Sequence, residues 1–243
     1  MFTGFSKEAI DFLLGIRYNN TKEWFEPRKS IYTQQLFEPM KELTELIFRP
    51  FENTGMISKT GRIYRDESFP PYLHYRDTLW IYVRYPAMYW SKTPTLFFEI
   101  SPEGAEFGFR ISHPEAAVME LFRCGITEEP ESFLSLAEKL RSQEIEFGGE
   151  EYKRKKKCSV PEAEEFFLKK GLSASRRVTD MAEIGSRSLA DRIVETFHAV
   201  QPLNELFAEY VELAAAETAA AKGESLQQPE PELVKAPERE FMW

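Results

Sequence analysis

Apolar residues recur every three to four positions through roughly the first fifty residues of this chain, then every second position through much of the next sixty. The change of period predicts helices first and strands after. Ser6 precedes a helical pattern over 7–17 carrying Ile10, Leu13, Leu14 and Ile16, and reads as its N-cap. Asn19 and Asn20 end it. Asn20, three residues before Glu23, has the spacing of a capping box leading into Trp24, Phe25, Ile31, Tyr32 and Leu36. Pro39 is expected to break or kink the path before Met40 to Phe48, and Pro50 closes it.

From Asp77 to Tyr85, Leu79, Ile81, Val83 and Tyr85 alternate with Trp80, Tyr82 and Arg84, the pattern of a strand. Thr95 to Ile100 and Ala105 to Ile111 flank Ser101-Pro102-Glu103-Gly104, a turn sequence, and predict an antiparallel hairpin. The turn sets Ile100 opposite Ala105, Phe98 opposite Phe107 and Leu96 opposite Phe109, making one face wholly apolar. The other face carries Phe97 opposite Gly108 and Glu99 opposite Glu106.

Further on, Ser112-His113-Pro114-Glu115 reads as a capping box opening a helix to about Arg123, and 130–141 as a short helix. The basic segment after Tyr152 reads as a short edge strand or loop. Pro161 to Lys170 reads as a helix with Gly171 just past its end. A last long helix starts near Ser188, with a kink expected at Pro202. The expected fold is α+β, a single domain with a mainly antiparallel sheet, built between about Met56 and Ile111, flanked by N-terminal and C-terminal helices. Its span is 1–221, and 222–243, poor in apolar residues and carrying three prolines, reads as a disordered C-terminal tail.

Several segments taken together resemble one family: Gly4-Phe5-Ser6, Asp11-Phe12-Leu13, Asn19-Asn20 with Glu23-Trp24-Phe25, Pro39-Met40, and Arg62-Ile63-Tyr64-Arg65-Asp66. Phe98-Glu99-Ile100-Ser101-Pro102-Glu103-Gly104, Tyr152-Lys153-Arg154 and Pro202-Leu203 extend the match. The chain resembles, over about 2–210, the bacterial and fungal family catalogued as domain of unknown function 2461. The resemblance implies one domain of mixed helix and sheet, and no particular reaction, cofactor or catalytic residue. Where members carry a lysine-rich stretch ending in Pro-Tyr-Lys, this chain has Phe69-Pro70-Pro71-Tyr72-Leu73-His74-Tyr75-Arg76, which sets Arg76 in place of that lysine.

The 243 residues carry a net charge of −9, which argues against coating of nucleic acid by the whole surface. Hydrophobic residues make up 42% and aromatics 14%, enough for a sizeable core. The two cysteines, Cys124 and Cys158, have no CxxC spacing and read as free thiols in a reducing compartment. Lys7, Glu8 and Asp11 interrupt any apolar leader, and no apolar run is long enough to span a membrane, so the expectation is a cytoplasmic protein without membrane contact.

Two clusters carry the candidate chemistry. Arg62, Arg65 and Arg76 suit a bidentate clamp for carboxylate or phosphate with Asp66 orienting one of them, or else an internal salt-bridge network. Glu99 and Glu106, opposed at about 5 Å between Cβ atoms, need a metal, a shared proton or an arginine such as Arg110 to offset their repulsion, or both point into solvent. Neither a nucleophile elbow nor a phosphate-binding loop motif is present, and the three histidines lack a second histidine at ligand spacing. No metal, cofactor or catalytic residue is therefore assigned. The leading expectation is a binding protein or unrecognised enzyme for a small anionic ligand held by the arginines near Glu99. The alternative is a protein-interaction module using a sheet edge or the apolar end Phe241-Met242-Trp243.

Overall fold

The computed structural model describes residues 1–68, 70–87, 92–154 and 157–222. Beyond Lys222 the expected tail, with Phe241, Met242 and Trp243, lies outside the described residues, as do Lys155 and Lys156 of the basic run. Helix α1 (Lys7–Tyr18) is capped by Ser6, whose hydroxyl accepts from the Ala9 N–H at 3.2 Å. Helix α2 (Lys22–Phe25) is capped by Thr21 rather than Asn20, since the Thr21 hydroxyl reaches the Trp24 N–H. Asn20 is used elsewhere, as described below. After α3 (Lys29–Ile31) and a π-helical turn (Tyr32–Phe37), α4 (Glu38–Phe48) continues without the break expected at Pro39. Pro39 stands in the first turn of α4, where its missing N–H disrupts no hydrogen bond within that helix.

Six antiparallel strands follow: β1 (Ile57–Thr60), β2 (Leu79–Arg84), β3 (Thr95–Ser101), β4 (Gly104–Ile111), β5 (Glu146–Gly148) and β6 (Leu172–Val178), in the order β1-β2-β3-β4-β6-β5. The β3–β4 hairpin has the expected register, with Leu96 opposite Phe109, Phe98 opposite Phe107 and Glu99 opposite Glu106. The sheet is larger than expected. Residues 172–178 alternate correctly at Leu172, Ala174 and Val178, but Arg176 holds the third of the four inward positions and masks the pattern. Gly171 leads into β6 instead of ending a helix, and it lies so close to β4 that a Cβ there would be 2.4 Å from the Ile111 carbonyl oxygen. The helix expected over 161–170 contracts to a 3₁₀ turn (Pro161–Ala163) and α7 (Glu164–Phe167), and Lys169 then pairs with Glu151 across an isolated bridge.

Helix α5 (Ala116–Glu128) starts after Glu115, so Ser112 is not its cap and Pro114 precedes it. Helix α6 (Pro130–Ser142), α8 (Met181–Ile184) and α9 (Ser188–Lys222) complete the fold, α9 running unbroken through Pro202. All of Leu79, Ile81, Val83, Leu96, Phe98, Ile100, Phe107 and Phe109 are buried on one face of the sheet. Against that face pack α1, α4 and α9. Phe207 of α9 lies 5.5 Å from Phe109 and 4.9 Å from Phe122 of α5, ring centre to ring centre, and Phe5 stacks on Phe98.

Candidate functional site

Beyond Thr60 the chain stays beside β2 and its lead-in. The Gly61 N–H donates to the Trp80 carbonyl at 2.7 Å, the Arg76 N–H to Ile63 at 2.7 Å, and the Arg65 N–H to His74 at 3.0 Å. Tyr64 and Tyr75 form the bridge between these last two bonds. Their side chains meet the N-terminal helices: Tyr75 stacks on Phe25 at 4.2 Å, and Tyr64 packs on Phe25 and Tyr32. Asn20 fixes the same segment, its amide donating to the Tyr75 carbonyl at 3.0 Å while its oxygen accepts from the Tyr75 N–H at 2.9 Å. The Tyr32 hydroxyl accepts from the Ile63 N–H, and burial raises its pKa to about 12. The ribbon bearing the candidate arginines is thus anchored by aromatic packing and one asparagine.

On this ribbon Arg65, His74 and Arg76 stand one step out of phase with the Tyr64–Tyr75 bridge. Burial lowers the pKa of Arg76, and the neighbouring charge of Arg65 lowers it further. Arg65 has a buried Nε with no hydrogen-bond partner. Arg62 is exposed, and its charge favours ionisation of the Tyr32 hydroxyl. Among the described residues none of these three arginines forms an ion pair, so the internal network has no counterpart there. Asp66 does not orient an arginine. Its Oδ1 accepts from the Ser68 N–H at 3.0 Å, which holds its carboxyl below the usual range and closes the loop locally. His74 Nδ1 lies 2.8 Å from Glu67 Oε1.

The opposed carboxylates of the hairpin have separate partners. Glu99 receives Arg110 at 2.7 Å, and the Arg110 guanidinium also lies 3.8 Å from the centre of the Phe97 ring. Glu106 accepts from Ser175 Oγ at 2.8 Å and from Arg177 at 3.0 Å. Each carboxylate thus has its own arginine, Arg110 from β4 and Arg177 from β6. Opposite Phe97, Gly108 leaves room for that strand, since a Cβ would lie 2.2 Å from the Ala174 carbonyl oxygen. These carboxylates and the Arg65–Arg76 pair form two groups, and no hydrogen bond or ion pair joins them among the described residues.

Sequence reasoning missed two features. Arg17 of α1 donates to Asp77 at 2.6 Å and grips both oxygens of Glu103 in the hairpin turn, lowering the Glu103 pKa to about 2. Its partners are 60 and 86 residues away, so no local pattern announces them. The second is a cavity of about 350 Å³ lined by Ser142, Gln143, Glu144, Arg176, Glu195 and Thr196. Another, of about 420 Å³, lies beside Arg123, Cys124 and Lys157, where Arg123 spends its donors on Glu120 and the carbonyls of Phe167 and Lys169. Among the described residues no three His, Cys, Asp or Glu side chains gather as metal ligands, and no helix is long and apolar enough to cross a membrane.

Helices covering one face of an antiparallel six-stranded sheet, with charged and aromatic side chains on the other, define an α+β protein. The chain belongs to the family described as conserved hypothetical protein (DUF2461), which it matches over residues 8–206. No curated protein matches it.

Proposed function

We propose that this protein binds a small anionic ligand, a phosphate or carboxylate, between the guanidinium groups of Arg65 and Arg76. The observation that carries this reading is two arginines on the same side of the paired ribbon, partly buried and without a carboxylate partner among the described residues. Such a pair is electrostatically unfavourable until an anion stands between the charges. A guanidinium offers paired N–H donors that match the oxygens of carboxylate or phosphate. No hydrogen bond or ion pair commits the Arg65 side chain among the described residues. Because the ribbon is pinned by Asn20, Phe25 and Tyr32, the two side chains lose little backbone freedom on binding. Arg62 adds positive charge nearby, and Glu99 and Glu106, already paired, take no direct part in this reading.

Thermal unfolding with and without millimolar phosphate, citrate or nucleotide tests it. A ligand at ten times its Kd adds about 1.4 kcal/mol, which is a few degrees of Tm for a chain of this size. Arg65→Gln and Arg76→Gln should keep the wild-type Tm or exceed it slightly, because each relieves repulsion and strands no carboxylate, and both should lose the ligand shift. Destabilised variants together with an unresponsive wild type would turn these arginines into structural elements.

A further inference from the structure

At the far edge of the sheet from the arginine ribbon, we propose a second binding site, for a compact zwitterion such as a free α-amino acid, in the cavity between the end of α6, strand β6 and α9. Its lining holds one half-buried cation, Arg176, and two carboxylates, Glu144 and Glu195. Arg176 donates through one terminal nitrogen to the Gln143 carbonyl at the end of α6, while its Nε is buried with no partner. Glu144 is committed, since Arg192 bridges it at 3.0 Å to Glu183 at 2.9 Å. Glu195 has no hydrogen bond or ion pair among the described residues, although it lies near enough to Arg176 to favour its charged form. The cavity wall therefore holds one guanidinium with a terminal nitrogen outside any hydrogen bond among the described residues, and one carboxylate without a partner there.

The backbone sets this arrangement. The Glu144 N–H bonds the Arg141 carbonyl and the Ile145 N–H bonds Leu140, a helix ending that requires a left-handed residue between them. Glutamate fills that place at φ 60°, where glycine would be less strained. The two arginines, Arg176 and Arg192, face three carboxylates, Glu144, Glu183 and Glu195, at the negative end of the α6 dipole. A simple anion gains little in such a field. A ligand with a carboxylate for Arg176 and an ammonium for Glu195 satisfies both unused groups. The hydroxyls of Ser142 and Thr196 donate to the carbonyls of Lys139 and Arg192, which leaves their lone pairs to accept from the ammonium. The volume, about 350 Å³, accommodates a ligand of that size.

The experiment is thermal unfolding and calorimetric titration of the full chain with each of the common α-amino acids at millimolar concentration, beside their N-acetyl and amide derivatives. The expected result is a saturable rise in Tm with one or more free amino acids and none with derivatives lacking either charge. Glu195→Gln, an exposed position that leaves the fold intact, should weaken binding by about tenfold or more. Arg176→Gln should abolish it; if that variant fails to fold, Glu195→Gln decides alone. Arg65→Gln should leave amino-acid binding unchanged, so failure here is distinguishable from failure of the anion site. Silence from every amino acid, an equal response to the N-acetyl or amide forms, or wild-type affinity in Glu195→Gln would overturn the proposal.

Discussion

Phe98 and Glu99 are neighbours in β3, yet they live in different solvents. Phe98 lies in the core beside Phe5 and Phe107, while Glu99 lies half-exposed, held by an arginine from β4. The same division separates Phe107 from Glu106 across the hairpin. One face is determined by what it excludes, and any apolar side chain of suitable volume serves there. The other is determined by pairing, because Glu99 and Glu106 are tolerable opposite each other only while Arg110 and Arg177 draw them apart. The centre of the buried face carries no charge, Arg176 being its one charged position and lying toward the β6 edge, and the open face tolerates a like-charge pair through two dedicated arginines.

The largest test of that contrast is a charge on the buried face. Phe98→Asp or Phe107→Asp should cost about 4 kcal/mol or more, since an uncompensated carboxylate replaces a ring of zero exposure. Urea denaturation measures it. A variant with wild-type stability would mean that the two faces have been assigned the wrong way round. On the open face, Arg110→Gln leaves Glu99 facing Glu106 and uncovers Phe97, and should cost about 1–2 kcal/mol. Adding Glu99→Gln to that variant should restore part of the loss, because the repulsion goes with the charge. No recovery would indicate that Arg110 acts through its contact with Phe97 alone.

The same contrast explains what the sequence discloses. The hairpin register follows from a strict period of two on both sides of Ser101-Pro102-Glu103-Gly104, and both the apolar face and the opposed glutamates come with it. Strand β6 escapes notice because Arg176 occupies an inward position and reaches out past the end of α6 to a carbonyl there. The sequence points to Asn20 as a cap, but Tyr75, far along the chain, takes both polar atoms of Asn20, and Thr21 caps α2 instead. The division of labour among Arg62, Arg65, Asp66 and Arg76 is not legible in the sequence. Asp66 turns to its own loop and Arg65 faces Arg76 for reasons set by the ribbon's pairing, which is a tertiary fact.

The smallest expected effect lies at the turn where the two faces meet. Arg17, from the helix side, holds Glu103 in the loop joining β3 to β4 and lowers its pKa from the ordinary 4.5 to about 2. A carboxyl so depressed contributes stability above its unfolded pKa and loses it as the pH falls toward its folded value, because in that window the unfolded chain binds the extra proton. The contribution should therefore be complete above about pH 5 and fade between about 4.5 and 2. Glu103 is 62% exposed, so solvent screens most of the interaction and the difference should stay below about 1 kcal/mol. Glu103→Gln should remove this part of the acid limb and leave the rest of the stability curve in place. Arg17→Gln should remove it too, and cost more at neutral pH because Asp77 loses its partner. Denaturant midpoints measured every half unit from pH 2 to 7 would detect the change of slope. If Glu103→Gln and wild type lost stability in parallel throughout, the bond between α1 and the turn would contribute nothing in solution, and the hairpin would owe its position to Phe98 and its neighbours alone.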